Sequence, residues 1–134
     1  MDDKKYYINK SKEEWKQVLN PEEFHVLREK GTEIPHSGKY NNHFKKGIYT
    51  CKGCGNKLYN SKDKFNSGCG WPSYDKAING SLNYKEDKSI GLNRIEILCS
   101  KCGGHQGHVF NDGPTSTRKR YCVNSISVNF IPEK

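Results

Sequence analysis

CKGCG at residues 51–55 returns as CSKCG at residues 99–103. Each stretch sets two cysteines three positions apart on a tight turn, with glycine directly after the second. Glycine there permits positive φ and lets backbone N–H groups turn toward sulfur. Two such turns supply four sulfurs, the tetrahedral set that Zn(II) takes in closed structural sites. A single CxxC reads equally as a redox dithiol, but that motif opens a helix after a strand. Both of these lie between strand-like runs. One structural zinc on Cys51, Cys54, Cys99 and Cys102 is therefore expected, fastening two distant segments into one core and leaving no open position for chemistry.

Outward from these turns, the runs GIYTC (47–51), KLYN (57–60), RIEILCS (94–100) and RYCVNSISVNFI (120–131) are rich in β-branched and aromatic residues. They predict a mainly antiparallel β domain over 47–134. Residues 1–46 read differently. Ser11-Lys-Glu-Glu14 fits a capping box, and Asn20 caps a segment whose first helical residue is Pro21. Two short helices are predicted over 12–18 and 21–30, the second closed by Gly31. GTEIPHSGKY (31–40) reads as an irregular connection.

The chain has 134 residues, a length that predicts one domain over 1–134. Apolar residues make up 32% and the mean hydropathy is −0.99, which predicts a thin core in need of a staple. Fifteen aromatics spread along the chain argue against disorder. The opening MDDKKYYINKSKEEW is charged and does not resemble a signal peptide. No segment approaches the roughly 18 apolar residues that cross a bilayer. A cytoplasmic location and no membrane partner are expected, and reduced cysteines there serve as metal ligands or catalytic groups. The formal charge of +8 is scattered and interleaved with Asp and Glu, so solvation is favoured over a specific nucleic-acid partner.

Removing the four presumed ligands leaves Cys69, in SGCGWPSY, and Cys122. If 120–128 is one strand, alternation puts Arg120, Cys122 and Asn124 on one face, continued into the core by Ile126, Val128 and Phe130. A cationic neighbour favours the reactive thiolate; the alternative is a buried thiol acting as a small hydrophobe. Cys69 lies between glycines, which suit a travelling thiol and a structural turn alike. His105 and His108 are an odd number of positions apart. They serve one site only if Gly107 or a bulge bends the chain.

GTEIPHSG (31–38), CKGC (51–54), SGCGWPSY (67–74), RIEILCSKC (94–102), GHQGHVFNDGP (104–114) and RYCVNSISV (120–128) occur in the order found in one family. The chain resembles the zinc-containing methionine sulfoxide reductases of the B type. His36, Tyr74 and Gln106 depart from the residues usual at their positions, and none bears the chemistry. The resemblance implies two antiparallel sheets, a β-tent with a zinc-ribbon-like staple, and short N-terminal helices. It implies reduction of methionine-R-sulfoxide, mainly in proteins or peptides, with Cys122 as nucleophile and Cys69 as resolving cysteine. His108 and His105 would orient and protonate the sulfoxide oxygen, Asn124 would join their network, and Arg120 would favour the thiolate. Trp71 would wall off the methyl group, while Phe110 and Asp112 give structural support. A thioredoxin-type reductant and a monomeric state are expected. A zinc-ribbon nucleic-acid module and a zinc-stapled interaction module are the rival readings, and neither has a use for the Cys69–Cys122 pair.

Overall fold

The computed structural model describes residues 8, 10–88, 91 and 93–133. Most of the charged opening, residues 1–7 and 9, lies outside the described residues, as does Lys134. Both helices form as their caps predict. In α1 (Lys12–Val18) the Ser11 hydroxyl accepts from the Glu14 N–H at 3.2 Å while the Glu14 carboxylate accepts from the Ser11 N–H at 2.9 Å. Asn20 and Glu23 repeat the exchange at the start of α2 (Pro21–Glu29). The second helix ends one residue early, because Lys30 rather than Gly31 takes the left-handed cap, at φ 58°. Gly31 is needed for room: a Cβ there would overlap the His25 ring. The two helices bury Trp15, Phe24, Val26 and Leu27. Arg28 lies over the Trp15 ring at 4.6 Å and donates to the Cys102 carbonyl at 2.9 Å, tying the arm to the second cysteine turn.

The strands are β1 (Gly47–Cys51), β2 (Lys57–Asn60), β3 (Lys64–Phe65), β4 (Ser73–Tyr74), β5 (Leu82–Asp87), β6 (Arg94–Cys99), β7 (His105–Phe110), β8 (Arg120–Val123) and β9 (Val128–Pro132). They form two antiparallel sheets, ordered β2-β1-β9 and β3-β4-β8-β7-β6-β5. Mainly β with two sheets and two short helices is the architecture the sequence implied. One apolar cluster runs from Trp15 and Leu27 through Tyr49, Leu58, Tyr59, Tyr74 and Ile97 to Val123 and Val128. Leu58 and Ile97 are wholly buried, each a contribution of roughly 2 kcal/mol by transfer of its apolar area from water. Tyr59 and Tyr74 stack at 4.4 Å between ring centroids, joining the two sheets' interiors.

RYCVNSISVNFI is not one strand. It leaves the six-stranded sheet after Val123, makes a 3₁₀ turn at Ser125–Ser127, and enters the three-stranded sheet at Val128. The cause is a run of short polar side chains that bond backbone of distant segments instead of continuing a ladder. Asn124 Oδ1 accepts from the Glu33 N–H at 3.0 Å and Ser125 Oγ from the Tyr40 N–H at 3.1 Å. Ser127 Oγ donates to the His105 carbonyl at 2.8 Å. The alternation therefore stops at Val123, and Val128 and Phe130 pack from the other sheet rather than continuing the Cys122 face.

Candidate active site and metal centre

Both cysteine turns close as tight loops: the Gly55 N–H donates to the Cys51 carbonyl and the Gly103 N–H to the Cys99 carbonyl, each at 2.8 Å. Positive φ at both glycines, 81° and 76°, makes this possible. The sulfurs of Cys51, Cys54, Cys99 and Cys102 all lie within 4.8 Å of one another. Cys51 and Cys102 are 3.6 Å apart and Cys54 and Cys99 3.5 Å, near the edge of roughly 3.8 Å that a tetrahedron with 2.3 Å metal–sulfur bonds requires. N–H donors from Gly104, Asn56 and Gln106 approach three of the sulfurs at 3.4, 3.6 and 3.9 Å, as suits thiolates around a cation. The residues fit a four-sulfur metal centre.

A second site lies at the other end of β6. Arg94 and Cys99 bound that strand, and five extended steps of about 3.4 Å separate them. Here a pocket of about 250 Å³ is lined by Cys69, Cys122, Trp71, His108 and Asn124 among others. Ser73 pairs with Cys122 across β4 and β8, and Cys122 pairs with His108 across β8 and β7. The turn carrying Cys69 thereby meets the strand carrying Cys122, and their sulfurs stand 3.7 Å apart. That distance permits one S–H···S hydrogen bond between them. Donation from the Cys122 thiol, above all, holds Cys69 down to about 4 despite the cost of burial. Cys122 is pushed up by that same bond and then by burial. Arg120 acts on Cys122 in the opposite direction and is outweighed. Its guanidinium is also engaged by Asp112, at 2.8 and 3.0 Å, and stacks over Phe110 at 4.4 Å.

The histidine condition is met. Ile97 faces Gly107 while Leu98 faces His105, so Gln106 bulges out of the ladder. Gly107 takes φ 154°, and a Cβ there would overlap the Cys122 carbonyl. The bulge brings the two imidazoles to the same side, 5.6 Å between centroids. Only His108 lines the pocket; His105 lies behind it, buried, with Nδ1 at 2.6 Å from Glu96 Oε2. His108 Nε2 meets Asp87 Oδ2 at 2.8 Å. Burial lowers the His108 pKa, and the Asp87 hydrogen bond opposes that shift.

Asn124 lines the pocket, but its polar atoms serve the frame. Beyond accepting from Glu33, its Nδ2 donates to the Gln106 carbonyl at 3.2 Å. Trp71 is hung from the same segment, its Nε1 donating to the Glu33 carbonyl at 3.1 Å. Sequence reasoning missed the carboxylates behind the histidines, Asp87 and Glu96, and Lys30, which lies 3.7 and 3.4 Å from them. It also missed Glu33, Arg94 and Ser67. Alternation along RIEILC sets Glu96 opposite the apolar face of Ile97 and Cys99, so the sequence does not mark it, and nothing there marks Asp87 or Ser67.

A reduced cysteine pair beside histidines, on a β fold carrying a four-cysteine staple, is the layout of a thiol-dependent oxidoreductase. The SelR domain model matches residues 19–132. The peptide methionine sulfoxide reductase MsrB of Methanosarcina barkeri is 56% identical over 128 residues, covering 95% of this chain and 90% of its own. That of Leptospira interrogans is 50% identical, covering 96% and 98%. The chloroplastic reductase B2 of Arabidopsis thaliana is 52% identical, covering 94% of this chain and 62% of its own. The chain belongs to this family, the methionine sulfoxide reductases of the B type.

Proposed function

We propose that this protein reduces methionine sulfoxide of the R configuration, chiefly in proteins and peptides, to methionine. The observation that carries the reading is the Cys69–Cys122 sulfur pair, 3.7 Å apart in a pocket shared with His108 and Trp71. Cys122 is the nucleophile, attacking as the thiolate once its proton has crossed the 3.7 Å contact to Cys69. Its sulfur attacks the sulfoxide sulfur, the S–O bond breaks, and the oxygen ends with the thiol proton on Cys122 as a sulfenic acid. Thiol plus sulfoxide thus equals sulfenic acid plus methionine, with no atom left over. His108, backed by His105, steadies and protonates the departing oxygen. Trp71 presents an apolar face to the methyl group, Asn124 holds the β7–β8 frame around the sulfur, and Arg120 supplies a positive field.

Cys69 then attacks the sulfenic sulfur to give a disulfide, which a thioredoxin-type dithiol reduces by exchange. The four remaining cysteines hold one zinc, whose closed shell makes it structural. We further infer a monomer acting in the cytoplasm and a single domain; the continuous core from α1 to β9 supports the last point. Among the described residues no helix is long and apolar enough to cross a membrane. The test is a racemic methyl sulfoxide peptide: consumption should stop at about half, leaving the S epimer. Equal consumption of both epimers would contradict the reading.

A further inference from the structure

Cys69 sits in a nest of hydroxyls. Ser67 Oγ donates to its sulfur at 2.9 Å and accepts from its N–H at 3.2 Å. Ser73 Oγ, wholly buried at the start of β4, is 2.7 Å from Ser67 Oγ and 3.5 Å from the Cys69 sulfur. Ser67 donates to the sulfur, and the single Ser73 proton is shared between Ser67 and the Trp71 carbonyl, 3.2 Å away, reaching the relay when it turns to Ser67. The first proposed step changes the surroundings of Cys69. Before it, the Cys122 thiol is the strongest donor to the Cys69 sulfur. After it, that proton sits on the sulfenic oxygen, one atom removed from the Cys122 sulfur, and the S–H donor is gone. What remains is burial, which favours the neutral thiol, and the two serines with the Trp71 backbone, which favour the thiolate. The other charged or titratable groups around this sulfur are Arg120, held by Asp112, with Arg94 and His108 lining the same pocket, while Glu33 acts on the neighbouring Cys122.

We propose that Ser67, relayed by Ser73, is a catalytic residue of the second step, keeping Cys69 ionised once Cys122 has been oxidised. This rests on the functional reading above. In the step itself the Cys69 thiolate attacks the Cys122 sulfenic sulfur and the S–S bond forms. The S–O bond breaks, and the oxygen leaves as hydroxide, taking a proton from solvent to become water. Cys69 is oxidised and the sulfenic sulfur reduced. Ser67 contributes by raising the thiolate fraction, since the thiolate and not the thiol attacks.

The test uses the metal-loaded protein and stoichiometric hydrogen peroxide, so it does not depend on sulfoxide chemistry; peptide mass mapping of dimedone-trapped protein first verifies that the oxygen is on Cys122 and not on Cys69. Disulfide closure is followed by thiol counting against trapping with a dimedone probe. Ser67→Ala should slow closure about tenfold or more at about pH 6.5, the scale of a hydrogen bond to a charged group. The deficit should shrink as pH rises past the thiol's ordinary range. Ser67→Thr should restore much of the rate, and Ser73→Ala should show a smaller defect of the same pH form. Unchanged closure in Ser67→Ala, or a defect equal at every pH, overturns the proposal. A parallel run with the sulfoxide peptide keeps the two claims separate. A chain that closes its disulfide from peroxide with the serine dependence intact, yet releases no methionine, refutes the functional reading and not the role of Ser67.

Discussion

At the scale of single residues, the proposed protonation of the sulfoxide depends on the state of one proton on His108. Burial favours the neutral ring and the Asp87 carboxylate favours the cation. Asp87→Asn removes the opposing influence, so His108 titrates lower still; Arg94, Lys30 and Glu96, which faces His108 across β6 and β7, are the charges left around it. Protonation of the sulfoxide oxygen then weakens most where protons are scarce. Single-turnover methionine release should fall by about tenfold at about pH 8 and by less near pH 6, one pKa unit being about 1.4 kcal/mol. NMR titration of the His108 ring should move in the same direction, and an unmoved ring would refute the assignment. The sequence displayed both histidines and both lone cysteines because their chemistry is carried by residue type. It hid Asp87 and Ser67, an ordinary acid and an ordinary hydroxyl made relevant only by strand pairing and a loop closure. Asn124 was visible, but its bonds to the backbone of Glu33 and Gln106 are disclosed by no local pattern.

At the scale of elements, two irregularities position the site. The bulge at Gln106 turns His105 and His108 to one side, and the 3₁₀ turn after Val123 carries the chain from one sheet to the other. The first was legible as a condition, since the odd histidine spacing demanded a bend near Gly107. The second was not, because RYCVNSISVNFI has β-rich composition throughout and its break depends on bonds to distant backbone at Glu33, Tyr40 and His105. Gly107→Ala tests the first. A side chain there overlaps the Cys122 carbonyl, so β7 and β8 must separate where His108 faces Cys122. A loss of about 3 kcal/mol or more in stability is expected, the range of backbone strain compounded by overpacking. Thermal unfolding checks it, and wild-type stability would contradict the account of the bulge.

At the scale of the whole molecule, the four-cysteine centre joins the β1–β2 turn to the β6–β7 turn, and α2 locks onto it through Arg28 and the Cys102 carbonyl. Cys51→Ser should release the metal and cost most of the fold, since structural zinc contributes roughly 10 kcal/mol or more in small domains. Elemental analysis beside circular dichroism reads both effects, and a metal-free wild type with full stability would contradict the assignment. The central claim is that Cys122 attacks and Cys69 resolves. It is tested most directly by intact-mass measurement of two variants after one turnover with the R sulfoxide. Cys69→Ser should release methionine once and stop with one oxygen on Cys122, trapped by dimedone; Cys122→Ser should release none. Methionine from Cys122→Ser and none from Cys69→Ser would show the roles reversed.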